Sequence, residues 1–230
     1  MTGELTVIAR FRGDFPGKFG LPRQSGLAPD LQGVIGFEPG FRDPNLLRGL
    51  EEFSHLWLIW QFSENLQAGY SPTVRPPRLG GNRRRGLLAT RSPFRPNALG
   101  LSAVSLERVE WQSPRGPLLH VSGADLLDGT PIFDIKPYVP VSDCIPQAGG
   151  GFSDQARDYR LQVVCPPELL QALAPEKRPG LLQALALDPR PAYQPDGERV
   201  YGFAYAGHEI SFRVAGGSLT VLGIVAKNHV

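Results

Sequence analysis

Lysine is nearly missing from this chain. Of 24 basic residues only four are lysines, at positions 18, 136, 177 and 227, so the positive charge is carried almost wholly by arginine. Cysteine is almost as scarce. Cys144 and Cys165 stand alone without metal-type spacing, which excludes a disulfide framework and reads as reduced thiols in a cytoplasmic protein. No apolar run approaches the roughly 18 residues of a membrane span, and no membrane partner is expected. The first residues lack a charged head followed by an apolar stretch, so no signal peptide is expected. No glycine-rich dinucleotide fingerprint, phosphate-binding Gly-x4-Gly-Lys loop or Gly-x-Ser-x-Gly elbow occurs. The four histidines (55, 120, 208 and 229) lack zinc spacing, so no metal is expected; His55, opening an apolar strand, reads as a core or edge residue.

What is present is a concentrated positive field. Between Ser71 and Gly100 lie seven arginines (Arg75, Arg78, Arg83, Arg84, Arg85, Arg91 and Arg95) and no acid, although the formal net charge is only +2. A local field in a nearly neutral protein marks a partner. The planar guanidinium suits phosphates and base edges better than an ammonium does. Prolines 72, 76, 77, 93 and 96 stiffen the segment, which sets it apart from a floppy basic tail. With Tyr70, Phe94 and Tyr138 nearby, it suits a looped or single-stranded RNA, where bases stack and phosphates pair with arginine. A solvated arginine-rich loop is the alternative, which the density of proline and glycine around the charges disfavours.

Gly 27 and Pro 23 in 230 residues point to many turns and short strands. Apolar patterning predicts strands over 5–11, 33–38, 55–62 (buried on both faces), 86–91 and 99–109. A further pair, 118–127 and 130–139, is predicted to join at the Asp128-Gly129 turn. A single short helix should start at Asp43-Pro44 and bury Leu46, Leu47, Leu50 and Phe53. Strand follows strand without a βαβ rhythm, so the fold class is mainly β: a small antiparallel β-barrel over residues 1–143. Gln147 to Ser153 reads as a linker. A smaller α+β domain, 155–230, should hold helices at 166–174 and 176–186 and strands at 200–205, 209–214 and 218–226, with Gly216-Gly217 as a hairpin turn.

Two polar sets stand within this β structure. Asp125-Leu126-Leu127-Asp128-Gly129 places two carboxylates at a turn; Asp128 before glycine is by itself most often an ordinary turn residue. Asp134, Lys136 and Tyr138 alternate onto one strand face, toward a barrel mouth or an interface. That trio is either a reacting group or a structural ion pair with a packed tyrosine.

These residues resemble a known family. Pro22-Arg23-Gln24, Leu50-Glu-x-Phe-Ser-His-Leu-Trp57, Arg75-Pro-Pro-Arg-Leu-Gly-Gly-Asn82, Ala89-Thr-Arg-Ser92, Phe94-Arg-Pro-Asn97, Asp125-x2-Asp-Gly-Thr-Pro131 and Asp134-Ile-Lys-Pro-Tyr138 look like the TsaA-like (TrmO, formerly YaeB) family. The likeness is dense from residue 3 to about 140. Asp188-Pro-Arg-Pro-Ala-Tyr193 is similar to the second-domain motif of bacterial members. The resemblance implies an S-adenosylmethionine-dependent tRNA methyltransferase that acts on N6 of threonylcarbamoyladenosine, 3′ of the anticodon in threonine tRNA. It also implies a cofactor-binding β-barrel and a cytoplasmic homodimer. Carried over by position, the cofactor contacts are Pro22, Arg23, Gln24, Ser63, Glu64, Arg91, Leu101, Asp125, Leu126, Leu127 and Asp128. Ser63-Glu64 replaces a less constant pair of the relatives. Asp134 and Asp128 are the candidate bases, with Lys136 and Tyr138 as orienters. Arg75, Arg78, Arg83, Arg84, Arg85, Arg95, Asn97, Arg190 and Tyr193 are the candidate tRNA contacts. A non-catalytic RNA-binding barrel, or a methyltransferase for another nucleobase or a small molecule, stays open.

Overall fold

The computed structural model describes residues 3–76, 83–156, 159–190 and 197–227. Six strands close into an antiparallel barrel: β1 (Ala9–Arg12), β2 (Gln32–Phe37), β3 (His55–Gln61), β6 (Leu99–Glu110), β7 (Leu118–Ser122) and β8 (Pro131–Pro137), in the order β1-β2-β7-β6-β3-β8. Closure leaves none of these strands with an unpaired edge. Side chains alternate across the wall. Phe11, Ile35, Leu56, Leu58, Trp60, Val104, Leu119, Val121 and Ile132 fill the interior. Two short strands, β4 (Thr73–Val74) and β5 (Arg85–Gly86), pair with each other.

A second sheet has the order β10-β11-β12-β9, from β9 (Gln162–Val164), β10 (Val200–Tyr205), β11 (His208–Ala215) and β12 (Ser218–Ala226). The three long strands stand where their alternation predicts them. Gly216 and Gly217 turn between β11 and β12 with φ of +56° and +77°. Short helices complete the chain: α1 (Pro140–Asp143), α2 (Pro167–Leu170) and α3 (Arg178–Ala186), the last burying Leu181, Ala184 and Leu185. Strand β9 carries no sequence signal; its three residues join the sheet in parallel through β12.

Several sequence expectations need correction. β7 and β8 do not form a hairpin: β7 lies between β2 and β6, and β8 between β1 and β3. The tight turn is real, with Thr130 N donating to Leu127 O at 3.2 Å and Gly129 at φ +79°, but it ends an eight-residue loop that begins at Gly123. The helix expected after Asp43 is two 3-10 turns, Pro44–Leu47 and Leu50–Glu52, because Gly49 takes a left-handed φ of +84° between them. Only Leu47 of its apolar face is buried; Leu46 is 61% exposed. β3 is buried on one face, because a barrel wall has an outside. The strand expected at 86–91 gives way after Gly86 to a 3-10 turn, Leu87–Ala89. The outward face of β6 carries Leu101, while Gly100, Ser102 and Val104 point inward.

The loop joining β1 to β2, residues 13–31, is not part of the barrel core. Its Phe15, Ala28 and Leu31 are buried in the core of the second sheet, and Phe19 and Leu21 pack against the same cluster. Phe15 stacks on Phe203 at 5.9 Å and meets Tyr205 edge-on at 5.0 Å. Burying a phenylalanine side chain contributes about 1.5–3 kcal/mol, so this loop is a strap between the two bodies.

Candidate cofactor and active site

Three separated segments bring their polar side chains to one end of the barrel. The first is the strap with Pro22, Arg23 and Gln24. The second is the loop after Ala89 with Arg91. The third is the loop 123–130 with Asp125. The strap and the third loop run side by side. Gly26 N donates to Gly123 O at 2.8 Å, Gly123 N to Leu31 O at 2.9 Å and Asp128 N to Phe15 O at 2.9 Å. Arg91 Nη1 reaches across to Gln24 Oε1 at 2.6 Å, and Gln24 Nε2 donates to Arg23 O at 2.6 Å.

Asp125 is the electrostatic centre. Burial pushes its carboxyl above the ordinary aspartate value. The Ser102 hydroxyl, its own backbone N–H, the Arg91 guanidinium and the Ser25 backbone N–H oppose that rise. Ser102 Oγ donates to Asp125 Oδ1 at 2.5 Å and accepts from Trp60 Nε1 at 3.0 Å. Trp60 can lie across β6 because its register partner is Gly100; a β-carbon there would sit 2.2 Å from the indole. Sequence reasoning missed this Trp60–Ser102–Asp125 chain. Its one signal is Gly100 and Ser102 at alternate, inward positions of a run, Leu99 to Val104, that is otherwise apolar.

The other predicted cofactor residues fall around this centre or beside it. Ser63 and Glu64 stand exposed on a 3-10 turn; Glu64 Oε2 pairs with Lys18 Nζ of the strap at 3.2 Å, and Lys18 also donates to buried Asn65 at 2.8 Å. Pro22 and Leu126 are buried, Leu127 packs toward the second core, and Leu101 is 54% exposed on the outer wall. Asp128 faces β1: its Oδ1 accepts from Gly13 N at 3.2 Å, and Arg12 lies 3.7 Å from Oδ2.

The candidate catalytic groups do not form one cluster among the described contacts. Asp134 pairs with Lys136 at 2.9 Å on the outer wall of β8. Tyr138 follows, 5.6 Å from Trp57 and 6.2 Å from His55 in ring contacts. Alternation did place the trio on one face. Asp128 lies apart, at the strap.

Among the arginines, Arg84 Nη1 donates to Thr73 Oγ1 at 2.9 Å, Arg85 lies over the Phe152 ring at 5.3 Å and Arg95 Nη1 donates to Thr90 O at 2.7 Å. Arg75, Arg83 and Asn97 are exposed. Arg78 and Tyr193 lie outside the described residues. Arg190 is 5% exposed, and its Nε and Nη2 grip Asp188 at 2.9 and 3.2 Å. Its guanidinium is committed to a buried ion pair rather than to the surface.

No helix among the described residues is long and apolar enough to cross a membrane, and the described residues hold no group of three metal-ligating side chains. A cavity of about 470 Å³ lies elsewhere, on the outer faces of β1, β2, β6 and β7 against Lys177, and none of the predicted site residues lines it.

The tRNA-methyltransferase O N-terminal domain family matches residues 10–144, and the TrmO C-terminal domain family matches residues 158–227. The chain is 47% identical over 175 residues to the tRNA (adenine(37)-N6)-methyltransferase of Eikenella corrodens, covering 76% of this chain and 98% of that one. It is 39% identical over 124 residues to a Pyrococcus abyssi protein named "probable S-adenosyl-L-methionine-binding protein", covering 54% of this chain and 61% of that one. A crystal structure of TrmO from Pseudomonas aeruginosa superposes with a TM-score of 0.80 at 33% identity, covering 98% of this chain and 99% of that chain. Matched through both of its halves, in sequence and in backbone, the chain belongs to the TrmO family.

Proposed function

We propose that this protein is an S-adenosylmethionine-dependent methyltransferase acting on N6 of adenine in tRNA, at the threonylcarbamoylated adenosine 3′ of the anticodon. The observation that carries the reading is the meeting of Gln24, Arg91 and Asp125 from three distant segments at one end of the barrel.

The residues fit the donor. Its amino group and ribose hydroxyls call for a carboxylate, its own carboxylate for a guanidinium, and its adenine for amide and backbone groups. Asp125, Arg91, and Gln24 with the Arg23 backbone supply these in that order. Asp125 is held at a cost, since burial disfavours its charge. A cationic ligand would relieve that cost. The bound donor would supply an electrophilic methyl, so the protein has mainly to align the acceptor and remove a proton.

The acceptor nitrogen is part of a ureido group, so its proton must leave near the transition state. We assign that proton to Asp134, whose carboxylate Lys136 orients at 2.9 Å, with Tyr138 flanking the strand. Asp128, engaged by Gly13 N and beside Arg12, holds the loop. Asp134→Asn is expected to cut turnover about a hundredfold or more while donor affinity stays within twofold, as loss of a general base would. Full turnover in that variant, measured at saturating donor, removes Asp134 as the base.

The substrate already carries a threonyl carboxylate, which a cationic surface favours over plain adenosine. Arg75, Arg83, Arg84, Arg85 and Arg95 are the side chains we assign to it and to the anticodon-loop phosphates. The test of the whole reading uses purified protein, labelled donor and tRNA with or without the threonylcarbamoyl group, with nucleosides resolved by mass. Label is expected on N6 of the modified adenosine, with unmodified tRNA slower by about tenfold to a hundredfold, the worth of one charged hydrogen bond. Equal rates on both tRNAs remove the threonylcarbamoyl requirement, and unlabelled tRNA removes the reading.

We further assign a cytoplasmic homodimer. Free cysteines at 144 and 165 suit a reducing compartment. Exposed Leu88, Leu101, Val141 and Ile145 leave apolar surface that a second copy could cover.

A further inference from the structure

We infer that the C-terminal sheet acts on methyl-donor binding in cis. It clamps the strap 13–31 in the shape that presents Arg23 and Gln24 to the cofactor cleft, with Lys177, Gln183 and Phe203 as positioning residues. The inference rests on the cleft assigned above.

Four kinds of contact carry it. The first is apolar: Phe15, Ala28 and Leu31 belong to the core of the second sheet, not to the barrel interior. The second is polar and falls at both ends of the strap. Lys177 Nζ donates to Asp14 Oδ2 at 2.9 Å near its start. Near its end Gln183 bonds Asp30 twice, accepting from the backbone N–H at 2.9 Å and donating to Oδ2 at 2.7 Å. Ala206 N adds a backbone bond to Asp14 O at 2.9 Å.

The third contact is steric and sits two residues before Pro22. Gly20 takes φ +95°, and a β-carbon there would lie 2.6 Å from the Phe203 ring. The strap therefore turns on the face of Phe203, and only glycine permits both the dihedral and the approach. The fourth contact is at the cleft itself. Arg23 Nη2 donates to the Arg190 carbonyl at 3.3 Å, and the buried Arg190–Asp188 ion pair holds that carbonyl's segment in place. The strap has no regular secondary structure of its own, so its shape between Asp14 and Asp30 comes from what it packs against.

A loop that carries ligand contacts lowers affinity in proportion to the fraction of time it spends in other shapes. Loosening the clamp should therefore weaken donor binding without touching the reacting atoms. The test is calorimetric titration of the full-length protein with S-adenosylmethionine, together with amide hydrogen exchange. It uses two variants outside the proposed donor contacts: the double change Lys177→Ala with Gln183→Ala, and Phe203→Leu. Both are expected to raise the donor dissociation constant about tenfold, as a strap populated a tenth of the time would, and to leave turnover at saturating donor within about twofold. Strap amides should exchange faster, while those of β3 and β6 stay protected. Placing arginine instead of alanine at 177, as Lys177→Arg with Gln183→Ala, should recover part of the affinity, because a cation again reaches Asp14.

Strap amides that stay protected in both variants overturn the clamp, and so does undiminished donor affinity once those amides are released. Unsubstituted protein that takes up no donor at all overturns the cleft assignment beneath it, which separates the two failures.

Discussion

Asp125→Asn is expected to melt at a higher temperature than the unsubstituted protein at neutral pH, and to bind S-adenosylmethionine about tenfold to a hundredfold more weakly, the worth of a charged hydrogen bond. The two effects have one cause. Folding raises the Asp125 carboxyl above its ordinary value, chiefly through burial. A carboxyl raised in this way contributes its stability below its unfolded pKa and loses it as pH rises through the folded value. Above the ordinary aspartate range the buried carboxyl is therefore a burden on the ligand-free fold, because the unfolded chain ionises it freely. Asparagine keeps an oxygen for the Ser102 hydroxyl and carries no charge to bury. The stability gain should vanish in acid, where Asp125 itself is protonated. Melting curves at several pH values, paired with donor titrations, check both halves. A variant that binds donor normally removes Asp125 from the site. A variant that melts lower at neutral pH removes the buried-charge account.

Gly100→Val is expected to cost roughly 2–3 kcal/mol of stability through overpacking, and to abolish donor binding. The added β-carbon would meet Trp60 ring atoms at 2.2, 2.4 and 2.6 Å, so the indole must leave its place across β6. With it goes the Trp60–Ser102 hydrogen bond, and Ser102 is the side chain that holds Asp125 Oδ1. The damage thus runs from core packing to the cleft in two steps. Gly40→Ala is the control, because a β-carbon at Gly40 meets nothing within 4 Å. Thermal melts and titrations of the two variants check this. A Gly100→Val protein that melts and binds like the unsubstituted one would break the link between barrel interior and donor site.

The contrast between these sites and the arginine segment bears on how the protein divides its work. The proposed donor cleft uses a few side chains locked by neighbours: Asp125 by Ser102, Arg91 by Gln24, and Glu64 by Lys18. The arginine segment proposed to meet tRNA instead offers cations that include the exposed Arg75 and Arg83. A small ligand needs preorganised contacts, whereas a polyanion binds through summed charge. The absence of a glycine-rich fingerprint agrees with this division, since a barrel end presents side chains where a strand-to-helix turn would present backbone N–H groups.

The sequence by itself determined the mainly β class, the three long strands of the second sheet and the family motifs. Alternating apolar side chains and glycine turns are local properties, and they survive into the fold unchanged. Motif likeness named eleven candidate cofactor positions, and Gln24, Arg91 and Asp125 are the ones among them that the fold joins most directly. Only the tertiary structure decided which strands pair. The Asp128-Gly129 turn is a sound local signal, yet β8 pairs with β1 and β3, because barrel closure is settled by long-range registry that no turn encodes. Only the tertiary structure, likewise, turned Arg190 inward onto Asp188, drew Trp60 over Gly100 to reach Ser102, and seated the strap in the second core. For Trp60 and the strap the partner lies across a sheet or far along the chain; Arg190 and Asp188 are only two residues apart, and what the fold decided there is their burial. Chemistry is written residue by residue, but burial and contact belong to the packed whole.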